Sequence, residues 1–90
     1  MTRRDISRDE TRAMLAERRA DAAVELHRLD SWLARTAHVR ALAARLGAAV
    51  SEGARYRIRL LGREGSSCKS AEAALAGWAL AVMREFPVAA

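Results

Sequence analysis

Residues 1–46 contain neither glycine nor proline. A stretch of that length has few places to turn, and its apolar residues recur every three or four positions, which is the helical period. Leu15, Ala22, Leu26, Leu29 and Leu33 form one series; Trp32, Thr36, Val39, Leu42, Ala43 and Leu46 form another. Ser7-Arg8-Asp9-Glu10 reads as a capping box, in which the serine hydroxyl and the glutamate each satisfy an early helix N–H. Residues 1–6 then form a flexible basic arm ahead of the helix. Gly47, directly after Arg45-Leu46, is a stop signal. One uninterrupted helix of about 40 residues would reach about 60 Å, whereas a compact chain of this size has a radius of gyration of about 12 Å. The apolar stripe also changes phase at Asp30-Ser31, where either side chain can cap a new helix. An αα-hairpin is therefore expected in preference to one long helix.

After a loop at Ser51-Glu52-Gly53, the chain alternates strictly. Tyr56, Ile58 and Leu60 fall on one side of a strand, and Arg55, Arg57 and Arg59 on the other. No convincing second strand follows, so the expectation is that this one pairs with its counterpart across a homodimer two-fold. A two-stranded ribbon bearing arginines resembles, by analogy, the arrangement in ribbon-helix-helix repressors. Their strand precedes two helices, whereas here two helices come first and one follows, so no membership is read from it.

Gly62-Arg-Glu-Gly65-Ser-Ser-Cys68-Lys69-Ser70 is read as a turn. It has the flavour of a phosphate-binding loop but lacks the glycine that such a loop places before Lys-Ser. The helix that follows ends at Phe86, because Pro87 cannot continue it, and leaves residues 87–90 as a tail. From Ala73 to Met83 it carries no charge, and helices apolar on all sides are buried on all sides. Ala73, Gly77 and Ala81 lie on one stripe of small side chains. With Trp78 and Ile58 they are the expected dimer interface.

The overall reading is one small domain, mainly α with a minor β part, in the order helix–helix–strand–helix. Of the 51% of residues that are hydrophobic, nearly half are alanine, which buries little area. The net charge of +5 is uneven. Residues 31–70 hold Arg35, Arg40, Arg45, Arg55, Arg57, Arg59, Arg63 and Lys69 against only Glu52 and Glu64. Those eight basic residues are the candidate site, and nucleic acid or an acidic protein surface is the expected partner.

The single cysteine rules out an internal disulfide, no secretory signal is visible, and no apolar run is long enough for a membrane. A cytoplasmic protein is expected. Cys68, His27 and His38 are too scattered for a catalytic or metal constellation, so neither enzymatic activity nor a cofactor is expected. The second reading is a protein-directed inhibitor or adaptor, for example a phage-type antagonist of a host nucleic-acid-processing system.

Overall fold

The computed structural model describes residues 3–88, with side chains from Glu10 onward. Its order is α1 (Arg3–Arg28), α2 (Trp32–Arg45), β1 (Tyr56–Leu60), β2 (Arg63–Ser67) and α3 (Ala71–Glu85). Helix α1 starts at Arg3, so Ser7 lies inside it rather than at its cap. Met1 and Thr2 of the expected arm, and Ala89 and Ala90 of the expected tail, fall outside the described residues.

The break between α1 and α2 lies where the phase shift placed it. Ser31 is the cap, its Oγ accepting the Ala34 N–H at 3.0 Å. At the other end of α2, Gly47 takes φ +73°. There the Ala48 N–H reaches the Ala43 carbonyl and the Gly47 N–H reaches that of Ala44. Those two bonds form a Schellman motif, which satisfies carbonyls that a helix end otherwise leaves unpaired. The two helices do not form a close-packed hairpin. Both pack chiefly on α3, and a groove lined by Arg18, Asp21 and Glu25 of α1 and His38 and Arg45 of α2 runs between them.

The order expected from the sequence missed one strand. β1 pairs antiparallel with β2, from Tyr56↔Ser67 to Leu60↔Arg63, within the same chain. The sheet therefore needs no second copy to pair β1. Arg-Glu-Gly-Ser-Ser carries none of the branched or aromatic residues that mark strands. Two backbone features make it one. Leu61 and Gly62 take φ of 51° and 77°, the pair of positive angles that a type I′ turn needs and that matches the twist of a hairpin. Gly65 then lets β2 lie directly on α3. A Cβ there would come within 2.5 Å of the Ala74 carbonyl and 2.6 Å of the Trp78 nitrogen.

Helix α3 is the hub. Ser70 caps it by accepting the Ala73 N–H at 3.1 Å, and α1, α2 and both strands touch it. Trp78 is fully buried and is the largest side chain of a core that includes Leu26, Val39, Ile58, Leu60, Leu75 and Val82. Its indole Nε1–H donates to the carbonyls of Leu60 at 2.9 Å and Arg63 at 3.1 Å. The hairpin turn is thereby latched to the helix through a buried polar group that has its partners.

The charge-free run is not buried on every side: Leu80 is exposed, and Ala73, Gly77 and Ala81 are half-buried. Trp32, the first member of the second apolar series, is 52% exposed, and its neighbour Leu33 is 72% exposed. They occupy the first turn of α2, ahead of the point where the helix meets the core at Thr36 and Val39. Among the described residues no helix is long and apolar enough to cross a membrane.

Candidate functional site

The alternation of β1 survives folding. Tyr56, Ile58 and Leu60 face inward, and Arg55, Arg57 and Arg59 are all exposed. Side chains two apart on a strand sit about 6.6 Å apart along it, so Arg57 and Arg59 stand in a row on β1, and Arg55 precedes them in the bend next to the strand's first residue. The partner strand adds Ser66 opposite Arg57 and Glu64 opposite Arg59. The Glu64 carboxylate turns to Arg57, at 3.7 Å from its Nε. Both groups are well exposed, so this pair is weak and easily exchanged. Arg55 and Arg59 have no ion-pair partner among the described residues.

The remaining basic candidates are dispersed. Arg63 pairs with Leu60 and lies on the inner side of the hairpin. Its Nη2 is 2.6 Å from Glu85 Oε2. Arg19 of α1 grips the same carboxylate with both prongs, Nε at 2.9 Å and Nη2 at 2.8 Å, and gives its Nη1 to the Leu61 carbonyl at 2.8 Å. That hydrogen bonding from Arg19 is the main cause holding the Glu85 carboxyl below its ordinary range; burial opposes it and Arg63 reinforces it. Arg63 is thus a structural cation here. Arg40 pairs with Glu72 at 2.9 Å, and Arg35 donates to the Leu26 carbonyl at the α1–α2 corner. Arg45 is exposed at the end of α2, in the groove beside Asp21 and Glu25. Lys69 is exposed between β2 and α3. The sequence segment with a phosphate-loop flavour is mostly strand, and its serines serve the backbone: Ser67 accepts the Lys69 N–H and Ser70 caps α3.

Charge counting by segment overlooked two arginines. Arg12 and Arg19, with Leu15 and Ala16, stand on one stripe of α1 and line a groove of about 540 Å³ against Arg59 and Gly62 of the hairpin. The signal was present in the sequence as a spacing of three, four and seven residues along one helical face. What the sequence could not show was that the hairpin turn lies beside that face.

Of the residues assigned to a dimer interface, Ile58 and Trp78 are inside the single chain. Gly77 faces its own Ser66, whose carbonyl would be 3.4 Å from an added Cβ. The potentially reactive residues are kept apart. His27 contacts the Phe86 carbonyl at 3.0 Å, His38 lines the α1–α2 groove, and Cys68 is exposed and belongs to neither place. Among the described residues no group of three His, Cys, Asp or Glu side chains is placed to hold a metal ion. The chain matches no protein-family model, no curated protein and no solved structure.

Proposed function

We propose that this protein is a non-enzymatic binding domain that takes a nucleic-acid backbone on the outer face of its hairpin. The observation that carries the reading is the row Arg55, Arg57 and Arg59. It is exposed, two of its three members stand on β1, and its acidic neighbours are two: Glu64, 3.7 Å from Arg57, and Glu52, which lines a shallow pocket with Arg55 and Arg57. Guanidiniums on a strand surface suit phosphate contacts, because each fork presents several donors at a fixed charge. Of the rest of the basic set, Lys69 and Arg45 are exposed, Arg40 is exposed and paired with Glu72, and Arg35 and Arg63 bond within the fold.

The test is fluorescence anisotropy with duplex and single-stranded oligonucleotides over a range of salt. Three phosphates neutralised per chain correspond to a log–log salt slope of about −3 on duplex DNA. The variant with Arg55, Arg57 and Arg59 all changed to alanine should keep its melting temperature, since none of the three is buried, and lose both the affinity and most of the slope. Absence of wild-type binding at the lowest salt would overturn the reading.

A second reading, docking on an acidic protein surface, is favoured by the exposure of Trp32 and Leu33 on the first turn of α2. Exposed tryptophans are common anchors of protein interfaces. In that case Trp32→Ala with Leu33→Ala abolishes the interaction while nucleic-acid binding is unaffected. The partner could equally be a second copy, through those residues or the α3 stripe of Ala73, Gly77 and Ala81. Light scattering at high concentration separates self-association from capture of a foreign protein.

A further inference from the structure

We infer that the groove between α1 and the hairpin turn is a phosphate-binding subsite, with Arg12 and Arg59 as its two open cationic walls. The inference rests on the nucleic-acid reading above and extends it: the arginine row does not end at the strand but leads through Arg59 into a pocket against α1.

Three observations carry it. First, the groove is lined by Arg12, Leu15, Ala16, Arg19, Arg59 and Gly62, together with Ala13, and so, among the described residues, by no acidic side chain. Its volume of about 540 Å³ exceeds what one phosphate group needs. Second, the cations divide into a fixed one and two free ones. Arg19 spends its donors on Glu85 and the Leu61 carbonyl. Arg12 and Arg59 are exposed, with no ion-pair partner among the described residues; Glu64, which lies opposite Arg59 across the hairpin, turns to Arg57 instead. Beneath them one carboxylate, Glu85, is shared by two arginines, Arg19 and Arg63. The triad therefore retains a net positive charge, which adds to the field at the groove floor.

Third, the groove is kept clear where the hairpin turn meets α1. Gly62 holds a positive φ, and a Cβ on it would come within 3.2 Å of Leu15 Cδ1. A glycine there satisfies the turn and keeps the floor clear of a side chain, leaving the space between the two guanidiniums open. Cations of one sign lining a concave groove raise the local concentration of an anion above that at a flat surface. The occupant that fits is a phosphodiester of a nucleic-acid strand already held along Arg55, Arg57 and Arg59.

The experiment has two arms. In the first, the Nε–H resonances of the arginines are followed by NMR while inorganic phosphate is added at constant ionic strength. Those of Arg12 and Arg59 are expected to shift together and saturate, while that of Arg84, exposed on α3, moves little. In the second, Arg12→Ala is titrated with a single-stranded oligonucleotide. Loss of one phosphate contact is expected to weaken binding about threefold to tenfold and to flatten the salt slope by about one unit, whatever the sequence. Arg12 is exposed, so circular dichroism should show the wild-type fold.

The outcomes separate the two claims. Oligonucleotide binding that Arg12→Ala leaves unchanged in affinity and slope overturns the subsite and spares the hairpin reading. Saturable phosphate shifts at Arg12 and Arg59 with no oligonucleotide binding support the subsite and overturn the nucleic-acid reading. Shifts no larger than that of Arg84 overturn the subsite.

Discussion

Glu85 is the residue on which most of the tertiary electrostatics converges. It joins α1 through Arg19, the hairpin through Arg63, and sits on α3 itself. Its carboxyl titrates below the ordinary glutamate range, and the sign of the consequence follows. A group whose folded value is depressed contributes stability above its unfolded value, about 4.3 for glutamate, and that contribution is lost as pH falls through the lower folded value. Glu85→Gln keeps the shape and removes the charge. At neutral pH it should cost about 1–3 kcal/mol, because the largely buried Arg19 loses its counterion. The gap between wild type and variant should narrow progressively as pH drops below about 4.3. Urea unfolding at a series of pH values measures this directly, and a gap that stayed constant into acid would show that Glu85 acts through packing alone. Nothing in the sequence singled out Glu85, Arg19 or Arg63 as a set. They are 66 and 22 positions apart along the chain from Glu85, and local patterns carry no information on such pairings.

At the scale of elements, the contact between β2 and α3 sets two glycines apart. Gly65 has the α3 backbone within 2.7 Å of where a Cβ would sit, whereas Gly77 has only an ordinary contact with Ser66. Gly65→Ala should therefore cost about 1–3 kcal/mol through forced separation of strand and helix. Gly77→Ala should raise stability by about 1 kcal/mol, since helix propensity improves without a clash. Thermal melts of the two variants should move in opposite directions; a destabilised Gly77→Ala would restore the idea that its stripe packs against another helix. The same contact explains which elements could be read in advance. The helices, the break at Ser31, the stop at Gly47 and the facing of β1 rest on local periodicity and capping, and the structure has each of them. β2 depends on a turn made by Leu61-Gly62, without the Asn-Gly or Asp-Gly that signals it, and on a glycine whose purpose is visible only once α3 is beneath it. The outward arginine row was legible because period two is a local property. The split of the basic set into surface cations and structural ones was not, because it depends on which acids the fold brings alongside.

As a whole the molecule is broad and shallow, with extents of 43 × 38 × 21 Å and a radius of gyration of 14.0 Å. That exceeds the value of about 12 Å for a compact chain of this length. Helix α1 is long for so small a chain: 26 residues make a rod of about 39 Å, and among the described side chains the buried ones begin at Ala22. Every element meets α3, and Trp78 sits at that meeting place. The two tryptophans therefore occupy opposite environments, one open to water on α2 and one sealed against α3 and the hairpin. Their fluorescence is a built-in pair of gauges. With Trp32→Phe the remaining indole should emit at short wavelength in the native protein and shift to the red only when the latch on Leu60 and Arg63 opens. Its denaturation curve should superimpose on that from far-UV circular dichroism if helices and hairpin come apart together. In the wild type the longer-wavelength emission belongs to Trp32, so a ligand settling near α2 would quench that band alone. One emission spectrum thus distinguishes loss of fold from occupancy of the α2 surface, with no dye attached.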